Sequence, residues 1–205
     1  MKKYKYNDII KQERRDIMKT LVIYAHPYEK SFNSYVLDFV KDNLNSKREI
    51  IDVIDLNADR FNPVMTKADL RVFSKGEYND ILAEDYSKRL KAANEIIFIF
   101  PIWWYGEPAI LKGFFDKVFL KGHTYIEVDK VLQGTLVNKK VVLLTTSTTS
   151  LKTFKELGDP IKNVLINGIL RAVGIQDVSW IHCPAVYSED ARGKYLQEIK
   201  EYFKN

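Results

Sequence analysis

"EIIFIFPIWWYGEPAILKGFFDKVF", residues 95–119, changes periodicity halfway along, and that change decides the fold. "EIIFIFP", residues 95–101, is hydrophobic on both of its alternating faces, as a strand of a parallel sheet covered on either side would be. Tyr105-Gly106-Glu107-Pro108 then breaks the run. Pro108 stands where the first turn of a helix tolerates proline. Behind it Leu111, Phe114, Phe115, Val118 and Phe119 make one apolar stripe, with Lys112, Asp116 and Lys117 expected outside it. Strand, connection and helix together form part of a βαβ unit. Trp103, Trp104 and Tyr105 lie in the connection, where core packing accounts for one or two rings less readily than for all three.

The same alternation extends in both directions. "TLVIYAH", residues 20–26, reads as a buried strand ended by Pro27, and Ser31 stands as N-cap of a helix whose apolar positions are Tyr35, Val36, Phe39, Val40 and Leu44. "EIIDVIDL", residues 49–56, is a second strand, followed by a punctuated loop with short helical pieces over 57–80 and a helix over 81–94. After a loop or hairpin at 121–137, "KKVVLLTTS" (139–147) is strand four. A helix over 161–174 ends at Gly174, "DVSWIHC" (177–183) is strand five, and Ser188 starts the closing helix. Strands alternating with helices, without internal repeats, predict an α/β three-layer sandwich around a parallel sheet with right-handed crossovers. Ligands of such folds gather at the carboxyl ends of the strands, near the point where strand order reverses.

Composition narrows the function classes. The chain of 205 residues fits one domain. Its longest apolar run, "IIFIFPIWWY", is half of the roughly 20 residues that cross a bilayer. The charged N-terminus lacks the apolar stretch of a signal peptide, so a cytoplasmic location is expected. A single cysteine, Cys183, leaves no internal disulfide framework. Residues 1–17 carry +3 of the net +5. The remaining chain is almost neutral and offers no basic face for nucleic acid. Residues 1–17 read as an extension, whether leader helix, disordered arm or upstream start, on a domain of residues 18–205.

Three loops converge on the ligand-bearing edge. In "HPYEKSFNS", residues 26–34, a helix N-terminus with its free N–H groups suits a phosphate, aided by Ser31, Asn33 and His26; a plainly capped helix is the alternative. No glycine occurs between residues 20 and 75, so neither a GxGxxG nor a Walker loop is present there. Trp103, Trp104 and Tyr105 suit a flat conjugated ligand or, alternatively, the core. "TTSTTS", residues 145–150, offers hydroxyls and amides, or a solvated turn. A flavin nucleotide explains all three together. His26, His123 and His182 occur without HExxH or paired His/Cys spacing, so no metal site is expected, and no GxSxG elbow is present. His182 and Cys183, in an apolar strand, read as packing residues.

"LVIYAHPYEKSFN", "DLNADRFNPVMT" and above all "FPIWWYGEPAILKGFFDKVF" resemble the flavodoxin-fold NAD(P)H:quinone oxidoreductases, including bacterial members and ancillary subunits of glutathione-gated potassium efflux systems. The resemblance covers about residues 19–203. It implies a flavodoxin-like five-stranded sheet of order 2-1-3-4-5, non-covalent FMN or FAD, NAD(P)H as co-substrate, and a homodimer with the flavin at the subunit interface. The implied reaction is a ping-pong, two-electron reduction of a quinone or similar acceptor. A regulatory subunit beside a membrane transporter is the alternative. By the same resemblance His26, Phe32, Asn33 and Ser34 match the flavin-phosphate loop, in which Ser31 is the further candidate. Pro101, Ile102, Trp103, Trp104, Tyr105 and Gly106 match the segment along the isoalloxazine ring, and Thr146, Ser147 and Thr148 its facing loop. His123 and Tyr125 match an acceptor pocket weakly. The family's Thr-Thr-Gly-Gly is replaced here by Thr145-Thr146-Ser147-Thr148, which puts side chains where glycines would allow close approach.

Overall fold

The structure, a computed structural model, describes residues 18–45 and 50–204; the N-terminal extension, residues 1–17, lies outside the described residues. In chain order the strands are β1 (Lys19–Tyr24), β2 (Ile50–Asp55), β3 (Glu95–Pro101), β4 (Tyr125–Val128), β5 (Val131–Gly134), β6 (Lys140–Thr146) and β7 (Asp177–Cys183). β4 and β5 pair antiparallel as a hairpin. The other five form one parallel sheet in the order β2-β1-β3-β6-β7, which with the hairpin set aside is the expected 2-1-3-4-5. Order reverses at β1, whose carboxyl end lies between those of β2 and β3.

Among the described residues the helical segments are α1 (Phe32–Asn45), α2 (Lys67–Phe73), α3 (Ile81–Ala92), α4 (Ala109–Val118), α5 (Leu151–Glu156), a π-helix (Ile161–Leu170) and α6 (Glu189–Tyr202), the last following β7. Side-chain alternation along the sheet feeds two separate cores. Val22, Ile97, Ile99, Val142 and Leu144 pack with Val36 and Val40 of α1 and Tyr195 and Ile199 of α6. Leu21, Ile23, Ile96, Phe98 and Leu143 pack with Leu90 of α3, Leu111 and Phe114 of α4, and Leu165 and Leu170 of the π-helix. Every residue of β3 is buried, which is why its sequence shows no polar face.

Three local readings change. Lys117, placed outside the α4 stripe by its charge, is 6% exposed. Its ammonium donates to the Asn62 carbonyl at 3.0 Å and pairs with Asp80, with Asp69 at 3.8 Å, so a buried charge is matched by carboxylates from α2 and the N-cap of α3. Tyr35, counted in the α1 stripe, is 54% exposed and stacks between Phe32 and Phe39 on the helix surface. The segment expected as an ordinary helix is a π-helix over Ile161–Leu170. Its buried residues, Ile161, Leu165, Ile166 and Leu170, recur at a spacing longer than 3.6, which the wider i→i+5 turn keeps on one face. Where the hairpin meets this unit, Gly134 touches Gly174 backbone to backbone: a Cβ on Gly134 would stand 2.0 Å from the Gly174 nitrogen.

Candidate active site

The loop after β1 leads into α1 through Ser31. Its Oγ accepts the Ser34 N–H at 3.1 Å and its carbonyl accepts Ser34 and Tyr35. Phe32 and Asn33 remain as first-turn amides without a hydrogen-bond partner among the described residues. His26 Nδ1 accepts the Tyr28 N–H at 3.1 Å, which puts the neutral ring's proton on Nε2, and burial lowers its pKa from the ordinary value. Asn33 is 4% exposed, and its amide meets Thr146 Oγ1 at 2.9 Å while the other end, Oδ1, is buried without a partner. Exchanging the two ends of the amide would move the vacancy to Nδ2, so either orientation leaves one polar atom of Asn33 unmatched.

The loop after β3 is a two-residue turn. Trp103 N–H donates to Gly106 O at 3.0 Å and Gly106 N–H returns a bond to Trp103 O at 3.1 Å. The residues between them are both left-handed, Trp104 at φ 50° and Tyr105 at φ 66°. That is the mirror-image I′ geometry, which Asn and Gly ordinarily supply and which costs other residues about 1–2 kcal/mol each. The turn is tethered by Ile102 N–H to Thr146 O at 2.8 Å and by Tyr105 packing edge-to-face on Phe154, centroids 5.7 Å apart. Trp104, 96% exposed, leans on nothing, and Trp103 meets His26 edge-on at 5.9 Å.

The loop after β6 is held from behind. Ser147 N–H donates to Cys183 O at 3.0 Å, and the Ser147 hydroxyl lies 3.0 Å from His182 Nε2, 3.0 Å from Thr149 O and 3.0 Å from Thr149 N. Thr145 Oγ1 lies 2.8 Å from His182 Nδ1 and accepts Trp180 Nε1–H at 2.8 Å. His182 is 9% exposed, and burial pushes its pKa down to about 4. The side chain at 147, expected to stand against a ligand ring, has its hydroxyl engaged by this buried cluster.

Two adjoining hollows at the carboxyl edge share Ile102, Trp103 and Thr148. One is lined also by His26, Ser31, Phe32, Asn33, Pro101, Thr146 and Ser147, the other by Trp104 and Tyr105. Ser34 and Gly106 support the walls through their backbone bonds without lining them. His123 and Tyr125 are not brought to this edge within the chain. His123 Nε2 lies 2.9 Å from Gly76 O and its ring packs on Tyr78 at 4.7 Å, while Tyr125 opens the hairpin strand β4. The structure adds Val186 and Tyr187 to the first hollow and Thr149 and Phe154 to the second. Val186 and Tyr187 follow strand β7, a fourth loop at the same edge that topology alone marks out. Among the described residues no cluster of His, Cys, Asp or Glu is arranged to hold a metal ion.

Comparison with known proteins agrees with this architecture. Residues 18–205 match a family described as having a flavodoxin-like fold. NAD(P)H dehydrogenase [quinone] 1 of Rattus norvegicus is 31% identical over 183 residues, covering 78% of this chain and 66% of the rat protein. An uncharacterized NAD(P)H oxidoreductase of Haemophilus influenzae is 28% identical over 166 residues, covering 80% and 82%. The chain thus spans just under two thirds of the rat relative. Among solved structures, Smu.1420 from Streptococcus mutans UA159 superposes with a TM-score of 0.81 at 35% identity, covering 92% of this chain and 100% of that one. An NAD(P)H:quinone oxidoreductase from Methanothermobacter marburgensis shares the fold, with a TM-score of 0.81 at 23% identity over 92% of this chain and 98% of its own. From residue 18 onward, the chain belongs to the flavodoxin-like fold family.

Proposed function

We propose that this protein is a flavin-dependent NAD(P)H oxidoreductase acting on quinones or similar acceptors. The observation that carries the reading is the buried amide of Asn33, whose open end is a donor once its two ends are exchanged so that Oδ1 takes the Thr146 hydroxyl, beside the partnerless first-turn amides of α1 and at the same edge as three accessible aromatic rings. Phosphate needs donors and a positive helix end; a tricyclic ring needs flat apolar walls. The residues present fit both halves of FMN, and fit FAD through the same groups. Relatives named as NAD(P)H dehydrogenases and oxidoreductases support the co-substrate.

Phe32, Asn33 and Ser31 would hold the phosphate end. Pro101, Ile102, Trp103, Trp104 and Tyr105 would flank the ring, with the open amides of Trp104, Tyr105 and Thr148 available to its polar edge. Bound flavin supplies the redox chemistry: two electrons from NAD(P)H reach the acceptor, so that NAD(P)H, quinone and one proton become NAD(P)+ and hydroquinone. Nucleotide and acceptor use the cleft in turn, a ping-pong order that keeps each from blocking the other. The apolar side chains around the cleft restrict water there. A homodimer is part of this proposal, with His123 and Tyr125 reaching an acceptor only from a partner copy. The efflux-subunit alternative rests on the glycines missing from the loop after β6 and on the charged residues 1–17, which lie outside the described residues; no observation among the described residues favours it.

Purified protein is expected to be yellow or to become so with FMN or FAD, to release that cofactor on heating for chromatographic identification, and to oxidise NAD(P)H faster when a quinone is added. Colourless protein that binds neither flavin would overturn the reading. Light scattering on the same sample checks the dimer.

A further inference from the structure

His182 has no role in the proposed reaction, yet its neighbours favour one set of hydrogen-bond directions. Trp180 Nε1 can only donate, and its hydrogen goes to Thr145 Oγ1. Within this cluster the Thr145 hydroxyl hydrogen finds its acceptor at His182 Nδ1. The ring proton must then sit on Nε2, which donates to Ser147 Oγ. Ser147 Oγ also receives Thr149 N–H and sends its own hydrogen to Thr149 O. Trp180, Thr145, His182, Ser147 and Thr149 thus form one directed chain in which every donor and acceptor is matched. A second ring proton on Nδ1 would turn the Thr145 hydroxyl away with no acceptor in the set. Burial favours the same neutral ring. The His182 ring also receives Phe154 edge-to-face at 5.4 Å, and Phe154 in turn carries Tyr105 of the aromatic turn. One imidazole therefore touches the supports of both loops that face each other across the cleft.

Resting on the flavin reading above, we infer that His182, as its Nε2–H tautomer, is a positioning residue that draws the Ser147 hydroxyl behind the cleft wall so that the loop admits the flavin ring despite carrying a side chain at 147. Without the imidazole the serine hydroxyl would be held by Thr149 alone, and rotamers that turn it toward the cleft would cost less. The inference predicts a specific dependence: removing His182 should matter to flavin chiefly when residue 147 has a side chain to control.

The test is a double-mutant cycle on the full chain, with FMN affinity read by quenching of flavin fluorescence and folding by thermal melting. His182→Phe keeps a ring and loses both hydrogen bonds; it is expected to weaken FMN about tenfold or more. Combining it with Ser147→Gly is expected to recover most of that loss, with Ser147→Gly alone as the fourth corner. A side chain that merely supports the fold would give no recovery. His182→Gln, which keeps a donor near the Nε2 position, is expected to stay within about threefold of the parent. If His182→Phe does not fold, His182→Asn takes over the loss arm. Ring 15N resonances of the flavin-free protein should report the Nε2–H tautomer from pH 8 to 5. Binding within about threefold in the loss variant, no recovery in the double variant, or an Nδ1–H tautomer would each overturn the inference. Failure of the parent to bind FMN or FAD would instead remove the flavin reading on which it stands.

Discussion

Asn33 and Trp104 test the cleft from its two ends. Asn33→Asp changes little in shape but sets a negative charge beside the proposed phosphate position. FMN affinity should fall about tenfold or more, while riboflavin, which lacks the phosphate, should bind as before. Parallel titrations of the two flavins decide it, and an equal loss for both would place the phosphate elsewhere. Trp104, almost fully exposed, can be removed without touching the core. Trp104→Ala should leave the melting temperature unchanged and lower flavin affinity by about 1–3 kcal/mol; a stability change with no affinity change would show the ring serving the fold instead. At this scale the sequence was readable where chemistry is local. The Ser31 cap and the aromatic turn follow from neighbours a few residues apart. His182 did not, because its partners Thr145 and Ser147 lie 37 and 35 positions away and meet it only through the register of β6 against β7.

Elements were read well where burial is uniform and poorly where one residue departs from its own type. The stretch over β3 and α4 announced both elements, yet Lys117 within it gave no hint of burial, since its counter-charges come from Asp69 and Asp80, far back in the chain. Lys117→Ala would leave those carboxylates facing each other without their cation. It is expected to cost about 3–5 kcal/mol, read as a lowered urea midpoint with an unchanged slope. A loss below about 1 kcal/mol would mean that water already screens the cluster. The hairpin of β4 and β5 seats against the chain following the π-helix by the contact of Gly134 with Gly174. Gly134→Ala cannot be accommodated without separating the two backbones. It should therefore raise hydrogen exchange in the hairpin and around Gly174 while the amides of β1 and β3 stay protected. Uniformly faster exchange throughout would show the hairpin folding as one unit with the sheet.

Over the whole molecule, acid should act through the histidines held neutral. His182 has its pKa depressed from 6.5 to about 4, and no charged group lies among its ring partners Thr145, Ser147, Phe154 and Trp180. Above pH 6.5 both folded and unfolded chains leave it neutral, so its contribution is fully present. As pH falls from 6.5 to 4 the unfolded chain takes up the proton first, and about 3 kcal/mol of stability is lost. His26 acts in the same direction. Urea midpoints between pH 7.5 and 4.5 should decline in the parent and decline less in His182→Phe; parallel slopes would refute the assignment. The parallel sheet was legible in five apolar strands alternating with helices and its order in the family resemblance, whereas the pairing of loops across the edge required the folded register. The left-handed pair at Trp104 and Tyr105 has one more implication, for anyone breeding a hardier version of this protein. Trp104→Asn would relax the turn while leaving the Tyr105–Phe154 tether in place, and raise the melting temperature. Selection by heat alone would therefore favour blind chains, robust ones that have discarded the surface proposed for the cofactor.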